Sequence, residues 1–252
     1  MKISIKGVLT MPIGVIINSS AVFFGGLLGS LLGDKLPAKF KMELTLIFGV
    51  CSMGMGINAI ILMKNMPAVI LAIVLGTGIG LFVHFGRWID RGAVLMERPI
   101  SKLLPRKTKN LSDTEFISAL VTVIVLFCAG GTGIYGTLDA GMTGNNTILI
   151  SKSILDFFTA AIFACNLGPV VSAIAVPQFI IFYIIFLLAK LILPLTNPVM
   201  LADFKACGGI LMLATGFRIA KMKEFPIADM IPAMVLVMPL SWLWTTIVMP
   251  LL

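Results

Sequence analysis

Lys152 and Asp156 stand four residues apart inside the apolar run "ILISKSILDFFTAAIFA". At that spacing an ammonium and a carboxylate share one helix face and can pair. Together they could bind a charged solute, hold an ion or pass a proton. Ser153 adds a hydroxyl beside them, and three amides interrupt other apolar runs: Asn18 in "IINSSAVFF", Asn58 in "GMGINAII", and Gln178 after Pro177. Amides donate and accept at once, which suits a polar ligand. Enzymatic patterns are missing. There is no H-E-x-x-H, no G-x-S-x-G and no paired-aspartate motif, so catalysis is not expected. With one histidine and no C-x-x-C, no metal centre is expected either.

A formal G-x-G-x-x-G occurs at Gly131, Gly133 and Gly136. A dinucleotide fingerprint needs a strand before it and a helix opening on it. Here it follows "ALVTVIVLFCA", the body of an apolar span, so it reads as a pliable break at a span end. No nucleotide or other cofactor is expected. No G-x-x-x-x-G-K-[ST] occurs, which argues against ATP drive.

The elements that must position these residues are membrane spans. Hydrophobic residues make up 59% of the chain and charged residues 12%, against roughly 25% charged in soluble domains. The apolar residues come in blocks of the length that crosses a bilayer, about 20 residues. The sequence predicts an all-α polytopic transmembrane helix bundle, one integral membrane domain over 1–252. Its eight spans lie near 11–33, 44–63, 67–86, 115–137, 147–167, 169–193, 204–220 and 227–250, with a basic cytoplasmic loop at 87–114. Helices are expected because lipid offers backbone groups no partner, and the alternation of a membrane barrel is not visible. If the fifth span starts near Thr147, capped by Asn145, Asn146 or Thr147, Asp156 lies roughly 14 Å into it. That is near the middle of a hydrocarbon core about 30 Å thick, where an aspartate costs about 2.5–3.5 kcal/mol. A charge held there is a functional-site expectation. The structural alternative is a pair that only fixes helix packing, with Lys152 snorkelling to the interface.

The net charge of +8 reads as topology. With alternating spans, one side carries Lys35, Lys39, Lys41, Arg87, Arg91, Arg98, Lys102, Arg106, Lys107, Lys109, Arg218, Lys221 and Lys223. The other carries Lys2, Lys6, Lys64, Lys190 and Lys205. The positive-inside rule then puts the first set in the cytoplasm and both termini outside, in the cell (plasma or inner) membrane. Nucleic-acid binding is not expected, because no basic face is laced with aromatics. His84 ends the third span beside Arg87 and Trp88, an interfacial position. The four cysteines fall in different spans and read as small apolar residues.

Two stretches look alike: "FGVCSMGMGINAIILMKNMP" from Phe48 and "GGILMLATGFRIAKMKEFP" from Gly208. Each carries two glycines seven residues apart, Gly49 with Gly56 and Gly209 with Gly216, and each ends in a Met-Lys turn and a proline. The preceding spans match as Pro12 to Pro37 and Pro169 to Pro194. Spans one to three therefore pair with spans six to eight and enter from opposite sides, an inverted-topology repeat of the kind found in secondary transporters. Gly25 and Gly29 are spaced for close backbone approach, within the chain or across a homo-oligomer. With Gly131 and Gly133 these glycines are the expected hinge or packing positions.

The run "FCAGGTGIYGTLDAGMTGNNTILISKSILDFFTAAIFACNLG" resembles the signature of the "domain of unknown function 554" membrane proteins. A Gly-rich span end, a G-x-x-G-[DN] loop and a K-S-x-L-D run follow one another there. Gly141, Gly144, Lys152, Ser153, Leu155 and Asp156 match the pattern. "INSSAVFFGGLLGSLLGDKLP" is similar to the family's N-terminal motif, with Asn18, Gly25, Gly26, Gly29, Gly33, Leu36 and Pro37 in place. "GGILMLATGFRIAKMKEFPIADMIPA" is similar to its C-terminal motif. Phe157 departs from a usual glycine and Asn145 from a common acid. The resemblance implies a bacterial or archaeal multi-pass membrane protein and assigns no activity.

The functional expectation is a secondary transporter or permease for a small polar or charged solute. Its site would draw on Lys152, Asp156, Asn18, Ser153, Asn58 and Gln178, and its partners would be the bilayer, the solute and a coupling ion. The competing expectation is a membrane scaffold or accessory subunit whose Lys-Asp pair is structural.

Overall fold

The computed structural model describes residues 11–32, 35–103 and 113–251, and among them there is no strand. The helices are α1 (Ile13–Leu32), α2 (Ala38–Ile60), α3 (Met66–Phe82), α4 (Phe85–Leu103), α5 (Asp113–Cys128), α6 (Gly131–Thr143), α7 (Thr147–Leu167), α8 (Val170–Ala173), α9 (Ala175–Ile192), α10 (Pro198–Ile219), α11 (Ile227–Met230) and α12 (Pro232–Leu243). Seven segments are long and apolar enough to cross a membrane, and α3 with α4, bent by 60° between them, brings the number to as many as eight. Large apolar side chains such as Phe24, Leu31, Val74, Ile154 and Leu191 stand exposed around the bundle. In water such a belt would be untenable; in a bilayer it is the lipid-facing surface. The protein is an all-α polytopic membrane bundle.

Glycine sets the direction of each helix against its neighbours, because a missing Cβ lets two backbones touch. Gly14, Gly25 and Gly29 of α1 lie against Asn146, Phe157 and Ala161 in turn, so α1 and α7 run parallel. Gly49 and Gly56 of α2 meet Gly216 and Gly209 of α10, so that pair is antiparallel. Gly76 and Gly80 place α3 antiparallel to α11 and α12, against Ala233 and Asp229. Gly131 faces Leu211 and Gly208 faces Tyr135, which makes α6 antiparallel to α10. These contacts use most of the glycines singled out in the sequence as packing within the chain. Gly25 and Gly29 are spent on α7.

The α2–α10 contact is reciprocal. A Cβ on Gly49 would lie 2.7 Å from the Gly216 carbonyl oxygen, and one on Gly216 would lie 2.6 Å from that of Gly49. Gly56 and Gly209 repeat the relation at 2.6 Å each way. Between them Ser52 Oγ donates to Met212 O at 3.1 Å.

Two features differ from the sequence expectation. Most of the segment read as a loop at 87–114 is helix α4, over Phe85–Leu103; residues 104–112 lie outside the described residues. Hydropathy misses α4 because it is amphipathic. Ala93, Glu97 and Ile100 are buried while Arg87, Trp88, Arg91 and Arg98 are exposed, and Arg91 sits over the Trp88 ring. The turn into it passes through His84 at φ 54°, and Gly86 N donates to Asp229 Oδ1 at 2.7 Å. The fourth span also does not end at 137. It runs as α5, a break at Ala129–Gly130, and α6 to Thr143. The break falls at the start of the glycine run. The fifth span is α7, 21 uninterrupted residues that track α1 from end to end.

Candidate functional site

Helix α7 buries the stripe Leu149, Lys152, Ser153, Asp156, Ala160 and Ala164. Its spacing of three and four residues keeps one face turned inward. Asp156, the tenth of 21 residues, falls at the middle of the helix. Lys152 Nζ is paired with Asp156 Oδ2. The close α1–α7 approach through Gly25 and Gly29 carries Asn18 to the same oxygen, and Asn18 Nδ2 donates to Asp156 Oδ2 at 2.8 Å. Gln178 of α9 completes the set. Its Nε2 donates to Asn18 Oδ1 at 3.0 Å and to Phe127 O at 3.2 Å. Phe127 lies two residues before the α5–α6 break, where the helical ladder is interrupted. A broken span thus supplies a backbone acceptor to a buried side chain, the arrangement that helix breaks permit at membrane depth.

The Lys152 ammonium lies 5.8 Å from the Phe127 ring centre and 5.9 Å from that of Phe182. Gly133 makes room there, since a Cβ would run into Phe182 and come within 3.1 Å of Lys152 Cε. Rings facing an ammonium stabilise it modestly while excluding water. Lys152, Asp156, Asn18 and Gln178 are all nine-tenths buried or more.

The hydrogen-bonding account does not close. Both donors to Asp156 go to Oδ2, and Oδ1 receives none among the described residues. Gln178 Oε1 and Ser19 Oγ are buried and likewise without partners. Beside the pair lies a cavity of about 30 Å³, lined by Ser52, Gly130, Thr132, Lys152, Asp156, Thr159 and Thr215 with their apolar neighbours. Its lining joins α2, α7, α10 and the α5–α6 break.

Of the six residues singled out in the sequence, Lys152, Asp156, Asn18 and Gln178 meet in the structure. Ser153 is buried in the next position, but its hydroxyl donates to Leu149 O at 2.6 Å, back along its own helix. Asn58 does not join. It lies on the exposed face of α2, two residues from its end. The buried stripe of α2 is Phe48, Gly49, Ser52, Gly56 and Ala59, and a residue two positions from Gly56 is turned about 200° from it. The glycines at 131 and 133 pack against Leu211 and Phe182, just after the break at Ala129–Gly130. Asn146, expected as a cap for its own helix, instead accepts from Gly14 N of α1 at 3.0 Å. Asn145, one residue earlier, accepts from Thr147 N, the first amide of α7, with its Oδ1 at 3.0 Å. Of the cysteines, Cys51 is exposed.

Besides Glu97 of α4, two buried carboxylates were not found from sequence. Asp203 accepts from Lys64 N at 2.7 Å, Asn65 N at 2.9 Å, Asn65 Nδ2 at 2.9 Å and Ser241 Oγ at 2.6 Å. It caps the start of α3 from another helix, and all its bonding capacity is used. Asp139 pairs with Lys205 at 3.0 Å and accepts from Thr143 Oγ1 at 3.0 Å. Each is a satisfied structural group. Among the described residues, only the Lys152–Asp156 pair combines mid-helix placement, an unfilled acceptor and a cavity.

Comparison with known proteins fixes the family. The chain is similar to the "Uncharacterized protein YqgA" of Escherichia coli (strain K12), 48% identical over 235 residues that cover 93% of this chain and 98% of that protein. It is also similar to the "Uncharacterized membrane protein YdfK" of Bacillus subtilis (strain 168), 25% identical over 88% of this chain and 93% of that one. No solved structure matches. The family described as "Protein of unknown function (DUF554)" matches residues 13–242, and this chain belongs to it.

Proposed function

We propose that the protein is a secondary transporter or permease for a small polar or charged solute, with Lys152, Asp156, Asn18 and Gln178 as its central site. The observation that carries this reading is the mid-span carboxylate with one oxygen free of hydrogen bonds among the described residues, beside a small cavity. Two charges at that depth are costly unless paired or wetted, and buried ionisable residues at membrane depth mark substrate and ion pathways by default. Breaks at Ala129–Gly130 and at Ile174, both in spans that contact the cluster, supply the non-helical backbone that such sites use.

The reciprocal glycine contact supports an inverted repeat as the frame for alternating access. If residue 49 corresponds to 209 and 56 to 216, exchanging the halves turns the Gly49–Gly216 contact into the Gly209–Gly56 contact. An isologous contact of that kind is what a two-fold axis generates. The corresponding spans, α1 and the one made of α8 and α9, are also antiparallel and touching, through Gly26–Ser172 and Asn18–Gln178. The start of α4, with Arg87 and Arg91, lies beside the basic end of α10, with Arg218, Lys221 and Lys223, since Arg218 is within reach of Asp90. The positive-inside rule assigns that side to the cytoplasm of the cell membrane, with the opposite ends of the bundle outside.

A second reading has its own support. Asn18, Asp156, Gln178 and Phe127 O form a chain of bonds that ties α1, α5, α7 and α9 together, as a scaffold or accessory subunit would need. The test is flux. Purified protein is screened for thermal stabilisation by amino acids, carboxylates and polyamines, and the stabilising solute is followed into proteoliposomes. Saturable uptake supports the carrier. A stabilised protein that moves nothing favours the scaffold.

A further inference from the structure

Resting on the reading of the Lys152–Asp156 cluster as a transport site, we infer that its solute is a small zwitterion of the amino-acid class, whose carboxylate docks on the start of α6 and whose ammonium docks on Asp156.

Helix α6 begins halfway along the 30-residue span Thr114–Thr143, directly after the break, and no side chain caps it. Its N-cap residue is Gly130, and no side-chain bond closes the first turn. Gly133 N and Ile134 N both donate to Gly130 O. The amides of Gly131 and Thr132 are left without an acceptor among the described residues. Free N–H groups at the positive end of a helix dipole attract an anion, and half-helices that start at membrane depth present this end to anionic substrate groups. A second observation points to a ligand here. Thr132 is 5% exposed and lines the cavity beside the pair, and its hydroxyl has no hydrogen-bond partner among the described residues. A buried hydroxyl left unpaired is costly, and a carboxylate oxygen at the helix start would accept from it.

The same cavity offers acceptors. Asp156 Oδ1 receives no donor among the described residues. Ser52 Oγ gives its proton to Met212 O at 3.1 Å, and Thr215 Oγ1 gives its own to Leu211 O at 2.8 Å, so each has only lone pairs left to offer. Thr159, the remaining hydroxyl on the lining, can donate or accept. Donors thus gather at the α5–α6 break with Lys152, and acceptors at Asp156, Ser52 and Thr215.

Charge decides which solute suits this lining. Lys152 and Asp156 neutralise each other. A simple carboxylate would add a negative charge beside Asp156, and a simple amine a positive one beside Lys152. Uncompensated charge in a buried site is costly. A zwitterion brings both signs at once and leaves the balance as it was, with Lys152 and Asp156 charged throughout. Volume limits the size. The cavity of about 30 Å³ holds about two water-sized groups, since one water needs roughly 10–15 Å³. This is therefore the closed form of the site, and α6 must shift at the Ala129–Gly130 break to admit the rest of the molecule. Amino acids with no side chain or a single methyl group ask least of that movement.

The full chain in lipid nanodiscs tests this, with free glycine and alanine as probes against acetate, methylammonium and leucine at equal ionic strength. Glycine and alanine should raise the thermal midpoint. Acetate and methylammonium, alone or mixed, should not, and leucine should do so least among the amino acids. Gly131→Pro removes one free amide at a helix position that suits proline, after a residue already extended. It should weaken binding of radiolabelled alanine about tenfold, the worth of one hydrogen bond to a charged group. Gly131→Ala meets Leu211 with the same Cβ but keeps the amide, so it should bind more tightly than Gly131→Pro. Thr132→Val, which keeps volume and removes the hydroxyl, should weaken binding several-fold, and Asp156→Asn should abolish it. No response to either amino acid, equal stabilisation by acetate or methylammonium alone, or equal binding by the two Gly131 variants would each overturn the assignment. Flux separates the two levels. Saturable uptake of a singly charged solute leaves the transport reading standing without the zwitterion, whereas alanine bound at this site with no flux leaves the site standing without the transporter.

Discussion

Gln178 Nε2 donates to Asn18 Oδ1 at 3.0 Å across 160 residues of sequence, joining the first span to the sixth at the level of the charged pair. The same nitrogen holds Phe127 O at 3.2 Å. Gln178→Leu should therefore strip donors from two buried oxygens at once. Leaving a buried acceptor unpaired costs about 1–3 kcal/mol. The thermal midpoint in detergent should fall by several degrees, and an unchanged midpoint would show that these bonds carry little of the fold.

The α2–α10 contact leaves no room for a side chain. Gly216→Val should force the helices apart, because its Cβ would sit 2.6 Å from the Gly49 carbonyl oxygen; overpacking of this kind costs about 1–3 kcal/mol. Gly54→Val is the control, with nothing within 4 Å of its Cβ position. Comparable loss in both variants would mean that helix propensity, and not the contact, is being measured.

Asp203→Ala should be among the most destabilising single changes in the molecule. It removes the acceptor from two backbone amides, from Asn65 Nδ2 and from Ser241 Oγ, and unpaired buried donors cost about 1–3 kcal/mol each. Asp203→Asn keeps one carbonyl acceptor and should lose less. Unfolding curves of the two variants decide it, and equal loss would rule out the capping role.

The span pattern was legible because lipid selects on composition, and residue types alone carry that signal. The glycine pairs at 49, 56, 209 and 216 were legible because small residues two turns apart mark a contact face before the partner is known. Lys152 and Asp156 stood out by cost, being charges where lipid ought to be. Asn58 was not separable from the buried face by residue type alone; its place, two positions from Gly56, turns it to the exposed side of α2. Asp203 and Asp139 escaped because their partners are remote. Ser241 and Lys64 reach Asp203 from 38 and 139 residues away, and no local pattern announces such a cap. Helix α4 escaped because its arginines masked a buried stripe of Ala93, Glu97 and Ile100, with Ala93 and Ile100 in one core cluster with Leu120 and Ile124.

Sidedness follows from the basic residues. Single cysteines at Lys223 and Thr196, in a background without the exposed Cys51, should be labelled differently in intact cells. An impermeant maleimide should reach position 196 and spare 223. The reverse pattern would invert the assigned orientation while leaving the helix arrangement intact.

The central claim is that the Lys152–Asp156 pair works in transport and is not merely packed. Replacing both partners of a buried ion pair by apolar side chains of similar volume is often neutral or stabilising. Lys152→Met/Asp156→Leu should therefore insert, purify as a single species and keep its thermal midpoint within a few degrees. The deciding measurement is uptake by proteoliposomes of the solute that stabilises the wild-type protein. The account predicts no uptake above empty liposomes for the double variant, and uptake at the wild-type rate would contradict it.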